Sequence, residues 1–369
     1  MKAATSTRRQ SWRALRISFI LSSLNLSGGV QAIIEYANRL VARGHTITLV
    51  VPRGTMDAAV AATLDGRVQC LESAVSLAGR RNLFTNLRLA FSLARSVPAS
   101  DLVVATHTPT TLSSLLAVHL LRRGAGVWLF MDYAQMFAGR AAERWLLRNA
   151  LRWHRLAITI SHATAAELAR YAPGRIEVAG LGISNLANLH PVYVHARPQA
   201  RSLFYLGDNR PRKGLADFLR AAELVCAQAP DIQVVVASKD PCVLETNVPV
   251  TFHLKPDAAQ LALLFQSCSV FVSASWAEGL GNPPLEAMAC AAPVVMTETG
   301  GSRDYAVDGE NCLLVPPQQP ERLADAILRV LNDPALAARL SAAGPATAAR
   351  FDWDIVMDRL ETALLEAVA

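Results

Sequence analysis

No apolar run in this chain of 369 residues reaches the roughly 18 that a membrane-crossing helix needs, so no transmembrane helix is expected. Cysteine is sparse and scattered. Cys70, Cys226, Cys242, Cys268, Cys290 and Cys312 form no Cys-x-x-Cys, and none stands at ligand spacing from a histidine. They read as small apolar residues in a reduced cytoplasm, with neither a disulfide framework nor a zinc site. The Gly-x4-Gly-Lys-Ser/Thr order of a P-loop is missing, and so is a complete Gly-x-Gly-x-x-Gly, which disfavours a nicotinamide-dependent oxidoreductase. There is no short-period repeat and no low-complexity tract. Lysine is almost absent: Lys2, Lys213, Lys239 and Lys255 stand beside 32 arginines, the remainder of 36 basic residues.

What is present builds a core easily. The chain is 52% hydrophobic and 18% charged, with a net charge of +6 that suits an acidic ligand or an anionic surface. Its length points to two domains. The start, MKAATSTRRQSWRALR followed by ISFILSSL, has the basic-then-apolar order of a signal peptide. The apolar stretch is short, however, and carries Ser22 and Ser23. No small-x-small cleavage site follows, and the chain continues into a glycine pair, an amphipathic stretch and a second apolar run. Strand, turn, helix, strand is the better reading.

From Arg16 onward, strand-length apolar runs alternate with helical stretches. Strands are expected at 16–22, 46–51, 101–105, 126–131, 156–160 and 176–179, then at 202–206, 232–237, 249–253, 269–273, 293–296 and 312–315. Between the two sets, residues 183–200 lose the rhythm and form a linker. The expected organisation is a basic tail over 1–15, a first α/β domain over 16–190, a second over 191–350 and a closing helix over 351–369. Strands separated by helices give parallel sheets, so the fold class is α/β with two doubly wound domains facing each other, ligand binding at the carboxyl ends of the strands.

Several stretches carry chemistry. In EGLGNPPLEAM, residues 278–288, Glu278 and Glu286 flank glycines and prolines just after an apolar strand. Gly279 and Gly281, with Leu280 between them, let the backbone approach a ligand closely. Asn282 is expected to cap a helix whose first turn holds Pro283 and Glu286. Free amides there favour an anion, and the carboxylates would receive hydroxyls, a combination that suits a nucleotide sugar. The alternative is a helix-dipole complement beside a solvated loop acid. In LFYLGDNRPRKGLADFL, residues 203–219, a strand ends and a turn carries Arg210, Arg212 and Lys213 into a helix, placed to neutralise a diphosphate unless the turn is merely solvated. In LSGGVQ, residues 26–31, Gly28 and Gly29 open a helix and offer amides to phosphate. His107 lies just past a strand end, in a functional position or a structural one, and His162 is a weaker candidate. Over 139–155, Arg140, Arg144, Arg148, Arg152 and Arg155 share an arc beside Trp145 and Trp153. That face either rests on anionic lipid or is solvated with the tryptophans turned to the core. FDWD, residues 351–354, reads as a helix cap rather than a metal-binding acid pair.

Together these residues resemble glycosyltransferase family 4. EGLGNPPLEAMACAAPVV is similar to that family's Glu-x7-Glu signature, TGGSRDYAVDGENCLLVPPQQPERLADAI to the segment after it, and SGGVQAIIEYANRLVARGHTITLV to its N-terminal glycine loop and helix. FDWDIVMDRLE resembles its closing helix, which crosses back onto the first domain. The resemblance implies the GT-B fold, two Rossmann-like domains across a cleft. It implies that Lys213 binds the donor diphosphate, with Arg210 or Arg212 assisting. Glu286 would hold the ribose hydroxyls, Glu278 and the Gly279–Gly281 amides the donor sugar, and Gly28 or Gly29 a phosphate, with His107 near the reacting sugar. The sequence departs from the family at Asp208, where arginine is usual, at Asp304, where glutamate is usual, and at Ala291 and Cys312, where glycine is usual. The implied activity is retaining, metal-independent transfer from a nucleotide-diphospho-sugar to a glycan or lipid-linked acceptor in bacterial surface polysaccharide assembly. It would need no cofactor and no nucleic acid, and would take place in the cytoplasm or peripherally on the inner face of the plasma membrane. A non-catalytic sugar-nucleotide binder and a nucleotide-sugar epimerase are the alternatives.

Overall fold

The computed structural model describes residues 13–25, 27–76, 82–132, 137, 139–183, 186–193 and 201–369. Most of the basic tail and parts of the linker expected over 183–200 lie outside them, as does Leu26. The chain forms two compact units. One runs to Ile160, takes Ala165–Ala179 and ends with Met357–Ala369. The other takes Ser161–Thr164 and Gly180–Val356, so the chain enters it upstream of the boundary placed at residue 190.

The first unit holds β1 (Arg16–Ile20), α1 (Gly28–Ala42), β2 (Thr46–Arg53), α2 (Ala58–Ala61), β3 (Gln69–Ser76), α3 (Leu83–Ser96), β4 (Leu102–Ala105) and α4 (Thr111–Leu115). It continues with β5 (Ala125–Phe130), α5 (Ala141–Asn149), β6 (Leu156–Thr159), α6 (His162–Ala169) and β7 (Ile176–Val178). Every described pairing is parallel, in the order β3-β2-β1-β4-β5-β6-β7. The sequence reading missed β3, because QCLESAVS has no apolar run. It is an edge strand that exists through its pairing with β2, and of its residues only Ser73 is fully buried. Helix α1 shows why the glycine pair sits where it does. Ser27 accepts from the Val30 amide at 3.3 Å, and Val30, Ile33, Ile34, Ala37, Leu40 and Val41 form one buried stripe.

The second unit holds β8 (Ser202–Leu206), α7 (Leu215–Gln228), β9 (Gln233–Ser238), β10 (Val250–Leu254), α8 (Ala258–Ser267), β11 (Val270–Ser273) and α9 (Asn282–Ala289). Then come β12 (Val294–Thr297), β13 (Leu313–Val315), α10 (Pro320–Asn332), α11 (Pro334–Ala349) and α12 (Trp353–Val368). Its parallel sheet runs β10-β9-β8-β11-β12-β13. Apolar side chains bury on both faces, one layer around Phe218, Val225 and Ile327 and the other around Phe204, Phe265 and Phe271. In the second layer Phe204 meets Phe265 edge-on at 5.2 Å between ring centres.

Asp352 caps α12 by accepting from the Asp354 amide at 2.7 Å. From Met357 onward this helix packs with the first unit. There buried Glu361 takes Arg43 Nη1 at 2.8 Å and His45 Nε2 at 2.9 Å, while the Leu15 amide donates to His45 Nδ1 at 3.1 Å. That last bond leaves the ring proton on Nε2, aimed at Glu361.

Candidate functional site

In a doubly wound sheet, the crevice for a ligand opens where strand order reverses. In the second unit that point lies between β8 and β11. The turn after β8 carries Arg210, Arg212 and Lys213, and the loop after β11 carries Glu278. The two are pressed together by a contact that only glycine permits. Gly214 has φ +70°, and a Cβ there would lie 1.9 Å from the Ala274 carbonyl oxygen. The Trp276 amide donates to the Arg212 carbonyl at 2.7 Å, and the Tyr205 hydroxyl to the Lys213 carbonyl at 2.9 Å. The Trp276 indole N–H is held by Asp217 at 2.6 Å.

The result is a charged cluster. Lys213 Nζ lies 2.7 Å from Glu278 Oε1, which also accepts from Ser275 Oγ at 2.9 Å. Arg212 Nη1 reaches Glu278 Oε2 at 3.2 Å. Burial works against charge on Glu278, but Lys213 and Arg212 outweigh it and hold the carboxyl below its ordinary range. Glu278 and Lys213 line a pocket with Ser275, Gly281, Thr299 and Tyr305. Ser275, Tyr305 and Trp276 were not picked out from the sequence. Tyr305 donates to the Gly281 carbonyl at 3.0 Å and so fixes the loop that Gly279, Leu280 and Gly281 form.

Two expectations about this loop need correction. Gly281, not Asn282, stands before the helix, at φ +89°; Asn282 is the first helical residue. Glu286 therefore lies one residue further into the helix than expected. It is also not a dipole-stabilised anion. Burial drives its carboxyl up to about 7, and the charge of Lys213 opposes this only in part. Among the described residues no hydrogen bond reaches that carboxyl. A partly buried acid without a partner, beside a lysine at a strand-end crevice, is a group available to a ligand.

Asp208 does not stand open to an anion. It is 5% exposed and forms a forked pair with Arg210, Nε to Oδ1 at 2.8 Å and Nη2 to Oδ2 at 2.5 Å. Burial raises its carboxyl, but Arg210 prevails and keeps it ionised. Arg210 is thereby turned to Asp208, whereas Arg212 and Lys213 are turned to Glu278.

In the first unit strand order reverses between β1 and β4. Gly28 and Gly29, the first two residues of α1, follow β1, and His107 follows β4. A Cβ on Gly29 would meet His107 Cε1 at 3.5 Å and Nε2 at 3.8 Å, so the glycine turn and the imidazole edge adjoin. On its other side His107 Nδ1 bonds Asp132 Oδ1 at 3.0 Å, and Asp132 accepts from the Thr108 amide at 2.7 Å and hydroxyl at 2.8 Å. Burial disfavours a charged ring, but Asp132 outweighs it and raises the His107 pKa above its ordinary value. Asp132, 2% exposed, was missed by the sequence reading. Its signal was a carboxylate directly after the apolar run ending in Met131.

His162 is exposed and bonded to Asp304, whose carboxylate also accepts the His162 amide at 2.8 Å. The arginine arc expected over 139–155 is shorter than read. Helix α5 stops at Asn149, and Arg155, beyond it, donates to the Ala367 carbonyl at 2.9 Å. Arg140, Arg144, Arg148 and Arg152 are exposed, and Trp145, 56% exposed, leans on Trp153 rather than turning to the core. Among the described residues no group of three His, Cys, Asp or Glu is disposed to hold a metal ion, and no helix is long and apolar enough to cross a membrane.

Comparison with known proteins agrees with this architecture. Residues 26–185 match the family model described as Glycosyltransferase Family 4, and residues 200–333 that described as Glycosyl transferases group 1. A D-inositol 3-phosphate glycosyltransferase of Thermobispora bispora is 29% identical over 226 residues, 55% of this chain and 53% of that protein. A phosphatidyl-myo-inositol mannosyltransferase of Mycolicibacterium smegmatis is 27% identical over 272 residues, 72% of this chain and 64% of that protein. The chain thus spans between about half and two thirds of the length of these curated relatives. Among solved structures, Anabaena HepE in complex with UDP and glucose superposes with a TM-score of 0.78 at 18% identity, covering 95% of this chain and 99% of that one. Sucrose-phosphate synthase of Thermosynechococcus elongatus gives 0.76 at 19%, covering 95% and 98%. At these identities the likeness establishes the fold, two Rossmann-like units of the GT-B type.

Proposed function

The chain belongs to glycosyltransferase family 4, and from that premise we propose that it is a retaining, metal-independent glycosyltransferase. It moves a sugar from a nucleotide-diphospho-sugar to a hydroxyl of a glycan or lipid-linked acceptor. The observation that carries the reading is the Lys213–Glu278–Arg212 cluster at the strand-order reversal of the second unit. Lys213 and Arg212 are fixed before any ligand arrives, so their charge stabilises a leaving diphosphate without reorganisation. With Asp208 neutralised by Arg210, the cluster keeps a net positive charge. Glu286 takes the ribose hydroxyls. Glu278 and the Gly279–Gly281 backbone take the donor sugar. Gly28 and Gly29 offer amides to phosphate. His107, its charged form favoured by Asp132, stands beside the transferred sugar. The Anabaena neighbour solved with UDP and glucose supports a nucleoside diphosphate as leaving group. The inositol phosphate and phosphatidylinositol in the relatives' names support an anionic or lipid-linked acceptor, which the arginines of α5 meet at a membrane surface. Bacterial surface polysaccharide assembly on the cytoplasmic side is the setting that fits.

The test is titration calorimetry with nucleoside diphosphates in EDTA, on wild type and Lys213→Ala, followed by turnover of the preferred nucleotide sugar. One nucleotide should bind without metal, and the variant should bind it about a hundredfold more weakly, the loss of a charge-assisted contact. The anomeric configuration of the product by NMR tests retention. Donor consumed without acceptor would mean an epimerase, and binding without turnover a non-catalytic protein. No binding at millimolar ligand refutes the site.

A further inference from the structure

Helix α3 carries more apolar surface than the fold uses. Ala90, Leu93 and Ala94 face the core. Ahead of them every residue from 82 to 88 is exposed. Leu83 and Phe84 are each 73% exposed, Leu87 46% and Phe91 40%. At about 100° per residue, these four fall within a single arc of about 100°; core-facing Ala94 lies within the same arc and Ala90 beside it, so the exposed apolar surface is set apart by its place at the start of the helix. The charges nearby are of one sign. Between Glu72 and Asp101 the sequence has Arg80, Arg81, Arg88 and Arg95 and no carboxylate. Arg88 and Arg95 border the apolar arc.

Topology puts a second cationic element on the same side. The steps β3 to β4, β4 to β5 and β5 to β6 all run in one direction across the sheet. Right-handed crossovers therefore place α3, α4 and α5 on one face, each helix following the carboxyl end of a strand. Helix α5 there exposes Arg144, Arg148 and Trp145.

We propose that the first half of α3 inserts into the surface of an anionic bilayer. Leu83, Phe84, Leu87 and Phe91 lie below the headgroups, and Arg88, Arg95 and the α5 arginines lie at the level of the lipid phosphates. A second copy of the chain is the poorer occupant, because pairing two such stripes sets arginine against arginine with no acid to separate them. The inference deepens the membrane contact proposed above, but its evidence does not involve the donor site.

Flotation with vesicles tests it, using phosphatidylcholine with about one third phosphatidylglycerol against phosphatidylcholine alone. Wild type should float with the anionic vesicles at low salt and not with the neutral ones. Leu83→Ser/Phe84→Ser/Leu87→Ser should partition about a hundredfold more weakly, the loss of three apolar contacts, while Phe84→Leu retains binding. If the triple variant does not fold, Phe84→Ser alone is read, with a smaller loss expected. Nucleoside diphosphate binding in solution should be unchanged in these variants, so failure of docking and failure of the transferase reading are told apart. Equal partitioning of variant and wild type, no partitioning of wild type, or equal flotation with neutral vesicles overturns the proposal. So does a concentration-dependent dimer that the serine substitutions abolish.

Discussion

Replacing Glu286 with glutamine should make the protein more stable at neutral pH and worse at binding nucleotide. The carboxyl is raised to about 7 from an ordinary 4.5, so the folded state holds its proton more tightly than the unfolded chain does. The sign follows. Below 4.5 both states are protonated and the residue costs nothing. Between 4.5 and 7 the unfolded chain ionises while the folded one does not, and stability falls as pH rises, levelling off above 7. A gap of about 2.5 at about 1.4 kcal/mol per pH unit caps the loss at about 3.5 kcal/mol, and partial exposure of the side chain reduces it to about 2. Glutamine keeps the shape and has no charge to bury. Urea unfolding of the second unit's transition at pH 4.5 and pH 8 therefore gives the measurement. Wild type should lose about 2 kcal/mol relative to Glu286→Gln between the two. Nucleotide affinity should move the other way. A carboxylate accepts from two ribose hydroxyls, so binding would favour the ionised form, release the proton that the neutral form holds, and strengthen as pH rises toward 7. The glutamine variant should bind more weakly and without that pH dependence. If wild type and variant show parallel stability profiles, the carboxyl is not raised. If the variant is stabilised but binds nucleotide as well as wild type, Glu286 is a buried acid with no ligand.

Two further perturbations probe the rest of the geometry. Asp132→Asn keeps an acceptor for the Thr108 amide but removes the charge that holds His107 up. The His107 titration, followed by NMR, should move to lower pH, and kcat/KM should fall most on the alkaline side of the wild-type optimum; an unmoved titration refutes the pairing. Gly214→Ala forces a Cβ to within 1.9 Å of the Ala274 carbonyl oxygen at φ +70°. Left-handed strain and displacement of the loop together should cost more than about 3 kcal/mol and lower the melting temperature by roughly 6–12 °C. A shift under about 2 °C would mean that the turn does not press against β11.

The two doubly wound units were legible because buried parallel strands are read on both faces and so appear as continuous apolar runs, as in SLFYL and VFVS. The edge strand β3 lacks that second burial, and its polar run QCLESAVS carries no such signal. In the site, residues past strand ends were legible, since Lys213, Glu278 and His107 each lie in the turn or loop that follows an apolar run. Their partners were not. Asp132 and His107 are 25 positions apart, and Tyr305 meets Gly281 across 24; no local pattern records either meeting. The cap at Asn282 was misplaced for a different reason. Gly281 accepts a left-handed backbone that asparagine adopts less readily, so the helix starts one residue later in structure than Gly281 and one earlier than a cap at Asn282 implies. Ala291 shows the same physics in reverse. It stands where the family's glycine is usual and is held at φ +55°, a left-handed strain that the surrounding core sustains.

Asp208 is the departure that looked most hostile to a phosphate, and its resolution needed three dimensions. A one-dimensional reading sees an acid in the middle of a basic turn and must guess which way it faces. In the fold, Asp208 is buried beneath the turn and turned to Arg210, two residues on, so the pair cancels locally. The field that an approaching diphosphate would meet is then set by Lys213 and Arg212 against Glu278, two cations and one anion, with Glu286 about half ionised at pH 7. An arginine in place of Asp208 would add a cation to that turn and free Arg210 from its partner. The chain instead rests its excess positive charge on the two side chains that Gly214 and Trp276 hold in place. On the proposed function, such a site would stabilise a dianionic leaving group through position more than through charge count, so loosening the turn should weaken nucleotide binding even with every cation retained.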